Sequence, residues 1–231
     1  YHMATDRGWL RDAGPIFVRQ CRFRCGDVGI VNWRFNGWSK YSNCRRDDTI
    51  PDKVARLLGM KQWRPATTNP RRRVVMEGGS IEVNGRGTLL TTEECLLSPI
   101  QARNPGFSRG TLETLFHKYL GVRKVIWLGR GIIGDDTNGH IDAFARFVNA
   151  TTVVVAVEAD SQDINYSTLQ VNWKRLQSAT DQDNRPLRVV DLPMPRPLFF
   201  GSQRLPASYA NFYIANQTVL VPTFNDPNDR L

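Results

Sequence analysis

One of the three histidines in this chain, His140, stands in Gly139-His140-Ile141-Asp142, close behind Asp135-Asp136. Three carboxylates therefore lie within five positions of one imidazole, in a chain whose formal net charge is +9. Gathering acid around an imidazole in a basic protein suits a cavity for a cation, with the imidazole placed to move protons. In extended chain, side chains two apart share a face, so His140 and Asp142 are expected to look into one cavity. There one group would anchor a cation and the other would transfer a proton. The competing readings of His140 are a satisfied core histidine and a metal ligand. His2 and His117 stand in unrelated contexts, and one histidine with carboxylates is an incomplete zinc set. Magnesium on carboxylates stays open, but the expectation is no metal and no cofactor.

Two other acids stand at strand–loop boundaries. Asp12, in Trp9-Leu10-Arg11-Asp12 before Gly14-Pro15, could point a carboxylate into a cavity. Taken alone it reads as a loop aspartate paired with Arg11. Glu77 precedes Gly78-Gly79, and two glycines after an acid permit close backbone approach or a positive φ. Cys21, Cys25, Cys44 and Cys95 form no zinc pair, because the 21–25 spacing is too wide and no second pair follows. Their low density favours reduced thiols in a cytoplasmic protein.

The scaffold for these groups is of ordinary composition: 231 residues, 41% hydrophobic and 23% charged. No apolar run approaches the ~20 residues of a membrane span. The N-terminal Tyr1-His2-Met3-Ala4 has no signal pattern and no initiator start, so the chain is expected to begin inside a longer gene product. The basic excess, with Arg45-Arg46 and Arg71-Arg72-Arg73, is scattered and lacks interleaved aromatics. That argues for solvated loops and against nucleic acid.

Strand and helix signals alternate. Strands are expected at 16–19, 29–35, 74–76, 80–83 and 88–91, the last two joined by the Asn84-Gly85 turn. Further strands are expected at 124–128, 144–148, 152–157 and 188–192, and a last hairpin at 209–221. Thr49 and Asp52, with Pro51 between them, read as a capping box opening a helix that buries Val54, Leu57 and Leu58. A helix over 111–120 has the apolar stripe Leu112, Leu115, Phe116, Tyr119 and Leu120 and ends at Gly121. A third, over 166–177, turns Leu169, Trp173 and Leu176 inward. The rhythm of two strands, a helix and a strand predicts one α/β domain over residues 1–231.

Read together, these segments resemble the agmatine deiminase family, within the guanidine-modifying superfamily of pentein fold. The resemblance rests on Trp9-Leu10-Arg11-Asp12 with Gly14-Pro15, Trp33 to Trp38, Asp47-Asp48, Glu77 to Ser80, Gly87 to Leu97, Arg103-Asn104-Pro105, Asp135 to Asp142 and Ser208 to Tyr213. It covers nearly the whole chain in one order.

The resemblance implies an α/β propeller of ββαβ units and hydrolysis of agmatine to N-carbamoylputrescine and ammonia, a step towards putrescine. It matches Asp12 and Asp142 to the carboxylates that grip the guanidinium and His140 to the general acid/base. It matches Glu77 to the acid that supports the reacting centre, Trp9 to a wall of the guanidinium site and Asp136 to a partner for the distal ammonium. The expected partner is a small cationic guanidino compound, with no membrane, and with a homo-oligomer compatible. The family's nucleophilic cysteine follows a Gly-Gly-Gly segment near its C-terminus, and its first strand and helix precede Tyr1. The propeller is accordingly expected to be incomplete at both ends. Cys95 is expected to be a buried structural thiol. Two alternatives stand beside this reading: peptidyl-arginine deimination, and a non-catalytic cation-binding relative.

Overall fold

The computed structural model describes residues 1–21, 25–68 and 70–230, and the side chains at 20, 21, 25 and 27 lie outside that description. The reading of Cys21 and Cys25 as reduced thiols therefore falls outside the described residues. In chain order the regular elements are α1 (Leu10–Ala13), β1 (Ile16–Cys21), β2 (Cys25–Val31), α2 (Ile50–Leu58), β3 (Gln62–Trp63), β4 (Glu82–Val83), β5 (Thr88–Thr92), α3 (Glu93–Leu97), α4 (Arg109–Leu120), β6 (Lys124–Leu128), β7 (Ala145–Phe147), β8 (Thr152–Val157), α5 (Tyr166–Gln177) and β9 (Arg188–Pro193). Two short hairpins follow: β10 (Phe199–Phe200) with β11 (Gln203–Arg204), and β12 (Tyr213–Ile214) with β13 (Val219–Leu220).

Three sheets are built to one plan. In β1-β2-β3, β4-β5-β6 and β7-β8-β9 the first two strands pair antiparallel and the last two pair parallel. A parallel pair needs a crossover, and helix lies between its strands in each case. The expected ββαβ rhythm recurs in the three sheets, but the strand expected at 74–76 is only an isolated bridge from Val75 to Arg34, and Gln62–Trp63 takes its place as the third strand of the first sheet.

The chain packs as two compact units, one of Tyr1–Gly78 with Pro99–Val122, the other of Gly79–Ser98 with Arg123–Leu231. In the first, β2 carries the register between β1 (Ile16 opposite Val31) and β3 (Ile30 opposite Gln62). Helix α4 forms because Ser108 Oγ accepts the Thr111 amide at 3.2 Å and Gly121, at φ +68°, closes the other end. Its Leu112, Leu115 and Phe116 are buried, and Tyr119 meets Trp33 edge-on with ring centroids 5.8 Å apart.

Helix α2 departs from expectation in two ways. Thr49 does not cap it. A 3-10 turn over Asp47–Thr49 leads directly into the helix, and the Thr49 hydroxyl donates back to the Arg46 carbonyl at 2.6 Å. Asp52 instead accepts from Asn32 Nδ2 at 3.0 Å and from Arg64. The buried face is Ile50, Pro51 and Ala55, while Leu57 and Leu58 are exposed. Entry through a turn rotates the helix so that its first residues, not its last, face inward.

The second unit holds the larger core. Leu90 and Leu128 from one sheet, Val153 and Val155 from the other, and Leu169 and Leu176 of α5 close around Ile141 and Phe144. Ile141 and Phe144 are fully buried, so the segment carrying His140 and Asp142 is anchored by its apolar neighbours. Full burial of such a side chain contributes ~1.5–3 kcal/mol. No helix among the described residues is long and apolar enough to cross a membrane.

Candidate active site

In the second unit the site is a loop that follows β6. Its conformation is set from three directions. Asp135 turns back on the loop: Oδ2 accepts the amides of Gly139 and His140, both at 3.0 Å, and Oδ1 accepts the amide and hydroxyl of Thr137 at 2.9 and 2.6 Å. Thr92, at the end of β5, caps α3 by accepting the Cys95 amide at 3.0 Å, and its hydroxyl donates to the Gly139 carbonyl at 2.6 Å. Glu94 accepts the Gly131 amide on Oε2 at 2.8 Å, and its carbonyl accepts from Asn138 Nδ2 at 3.0 Å. Gly139 sits at φ +89°, where a Cβ would come within 2.7 Å of Glu94 Oε2. The position admits glycine for both space and backbone angle.

This frame presents His140 and Asp142, both buried, with His140 Nδ1 3.8 Å from Asp142 Oδ1. The pair meets as expected, but for a different reason. Residues 141–143 form a 3-10 turn rather than extended chain, and His140 precedes it at φ −57° and ψ 136°. At 3.8 Å the pair is past hydrogen-bond length. Cys95 is fully buried on α3, with its thiol within 4.8 Å of a His140 ring nitrogen. Asp136, on the same loop, is exposed.

In the first unit, Asp12 is buried on α1, and Trp38 Nε1 donates to its Oδ2 at 3.1 Å. Trp9, at the start of that helix, is 63% exposed. Glu77 is fully buried and paired with Arg103, whose Nε lies 3.2 Å from Oε1 and 3.1 Å from Oε2. Arg103 also donates through Nη1 to the Gln101 carbonyl at 3.1 Å. Gly78 follows because the backbone needs the space: a Cβ there would stand 2.0 Å from the Arg11 carbonyl oxygen. The close-approach reading of that glycine therefore applies, and the positive-φ reading does not. The same approach brings the end of the Glu77 segment against the helix of Asp12.

The loop of the second unit offers an imidazole beside a carboxylate for proton transfer. The first unit, taken by itself, offers a buried carboxylate aimed by an indole and a buried acid neutralised by a guanidinium. The sequence reading quoted Trp38, Arg103, Asp135, Thr92 and Glu94 as motif residues but gave them no role. Their contacts span up to 47 positions, and no local pattern names such partners.

A model of the Porphyromonas-type peptidyl-arginine deiminase family matches residues 1–231. The agmatine deiminase of Ectopseudomonas mendocina (strain ymp) is 37% identical over 98% of the chain, and that of Pseudomonas fluorescens (strain SBW25) is 38% identical over 98%. The chain spans 65% of the length of each of these curated relatives. Among solved structures, an agmatine deiminase of Enterococcus faecalis superposes with a TM-score of 0.88 at 35% identity, covering 100% of this chain and 66% of that one. A C315S agmatine deiminase of C. jejuni, solved with substrate bound, gives 0.82 at 30% identity, covering 96% and 62%. The mixed α/β fold is that of these structures, and the chain belongs to the Porphyromonas-type peptidyl-arginine deiminase family.

Proposed function

We propose that this chain carries guanidinium-binding and proton-transfer groups of an agmatine deiminase, in which agmatine and water give N-carbamoylputrescine and ammonia. The observation that carries the reading is the buried His140–Asp142 pair on a loop pinned by Asp135, Thr92 and Glu94. In it, Asp142 and Asp12 grip the guanidinium nitrogens with charge-assisted hydrogen bonds. His140 transfers protons, and Glu77 supports the reacting centre. Trp9 offers its exposed ring as a wall, and Asp136 receives the distal ammonium. The names of the relatives support agmatine as the substrate. The shared strand order of the three sheets supports one domain of ββαβ blades in a propeller. We place the reaction in the cytoplasm, where thiols stay reduced.

The test is calorimetric titration of mass-checked protein with agmatine, with ammonia release read on the same sample. Agmatine should bind, and Asp142→Asn should weaken it by roughly tenfold or more. Absence of binding heat in the unsubstituted protein would sink the reading. The exposure of Asp136 keeps a peptidyl-arginine substrate as a second reading, since a peptide's far end needs no carboxylate. Asp136→Ala should weaken agmatine binding, and unchanged binding would favour the peptide.

A further inference from the structure

We propose that Trp38 is a positioning residue for Asp12, its indole N–H fixing the plane of the carboxylate that receives the guanidinium. The inference rests on the reading of Asp12 given above. A planar guanidinium meets a carboxylate through paired N–H bonds, so the orientation of the carboxylate decides whether both bonds form. Trp38 supplies one N–H and no acceptor, and that N–H ends on Asp12 Oδ2 at 3.1 Å.

The backbone shows that this direction is held deliberately. Trp38 has φ +59° and Ser39 φ +54°, a left-handed stretch that a bulky residue rarely adopts. Such a conformation persists only where the surroundings over-determine it, and here they do. Asn36 Oδ1 accepts the Ser39 amide at 2.9 Å, and Asn36 Nδ2 donates to Ser39 Oγ at 2.9 Å. Ser39 Oγ donates to the Ala102 carbonyl at 3.0 Å, and Gln101 Nε2 donates to the Trp38 carbonyl at 3.2 Å.

The ring is fixed as firmly as the backbone. Phe35 and Tyr41 meet it edge-on, with centroids at 5.1 and 6.0 Å. The Arg7 guanidinium lies 4.5 Å from the Tyr41 centroid and 5.9 Å from that of Trp38. Filling the small core of Ala13, Phe35 and Trp38 needs an aromatic ring but no strained backbone. Aiming the N–H at Asp12 accounts for both.

The test is a double-mutant cycle on agmatine affinity, with the full chain and the substitutions Trp38→Phe, Asp12→Ala and both together. Trp38→Phe keeps a ring and removes the donor. It should weaken agmatine roughly ten- to hundredfold while the thermal midpoint stays within about 4 °C. In the Asp12→Ala background it should cost less than about twofold. Equal losses in both backgrounds, or no loss from Trp38→Phe beside a large one from Asp12→Ala, would overturn the positioning role alone. If Asp12→Ala binds agmatine as the unsubstituted chain does, the reading of Asp12 fails and the inference falls with it. A readout independent of Trp38→Phe folding is the indole N–H region of the proton–nitrogen spectrum, which holds six tryptophans. One indole resonance should move on Asp12→Ala, and a spectrum in which none moves would overturn the contact itself.

Discussion

Arg103 engages Glu77 through Nε, 3.2 Å from Oε1 and 3.1 Å from Oε2, with neither side chain exposed to solvent. Taking both charges out of water is costly, and each offsets part of that cost for the other. The guanidinium thus makes it possible for a carboxylate to sit at zero exposure beside the backbone turn that carries Asp12.

Arg103→Met should accordingly destabilise the protein by about 3–5 kcal/mol, the usual cost of stranding one buried charge. Adding Glu77→Gln to that change should recover part of the loss. Urea unfolding followed by tryptophan fluorescence checks both, and a single substitution costing under about 1 kcal/mol would contradict the pairing.

Gly139→Ala places a methyl 2.7 Å from Glu94 Oε2 at a left-handed φ of +89°. Strain of this kind costs roughly 1–3 kcal/mol. Relief would require Glu94 to leave the Gly131 amide, so the loop that presents His140 should move. The His140 imidazole resonances, assigned among three histidines, should shift in this variant while those of His2 and His117 stay in place.

Asp135→Asn substitutes an N–H₂ for one of two oxygens that together accept four hydrogen bonds. Whichever way the amide turns, one pair of donors loses its acceptor. We expect a loss of about 2 kcal/mol in stability and weaker agmatine binding, by differential scanning and calorimetric titration. Glu94→Gln, which keeps an acceptor for one amide, should be milder on both measures.

Asp229 gives a pH dependence. The Tyr209 hydroxyl donates to its Oδ1 at 2.6 Å, and the Phe224 and Asp226 amides add further donors. The Tyr209 hydrogen bond, with those amides, holds the Asp229 carboxyl below the ordinary aspartate value of 3.8. A group lowered in the folded state contributes stability that is complete above its unfolded value and fades as pH falls towards the folded one. Tyr209→Phe should therefore be less stable than the unsubstituted protein at pH 7, with the gap narrowing as pH drops below about 4. A constant gap from pH 7 to pH 2 would mean that the tyrosine acts through packing alone.

The sequence was readable where local pattern and packing agree. Strand β6 and helix α5 lie over the expected residues because Val125 to Leu128 and the Leu169–Trp173–Leu176 stripe have one way to bury themselves. Helix α2 was misread because its entry through Asp47–Thr49 changes which residues face inward, and the capping pattern at Thr49 carries no sign of that turn. His140 and Asp142 stood out through the density of charge around them. Trp38 and Arg103 did not, since each acts on an acid 26 positions away and looks locally like an ordinary core aromatic and loop base.

The division into two packed units has a consequence for how the chain can be made and cut. The path passes from one unit to the other after Gly78, back after Ser98, and across again after Val122. The first unit stays unfinished until Val122 has left the ribosome, by which time β4 and β5 of the second have already emerged. A cut after Gly78 leaves the second unit's segments together in 79–231, and one after Val122 leaves the first unit's together in 1–122, each still carrying a segment of the other unit. Of the three crossings only the one after Ser98 divides both. Fragments should therefore be designed by excision and rejoining, and a protease nick in the 99–122 segment should weaken both halves of the molecule at once.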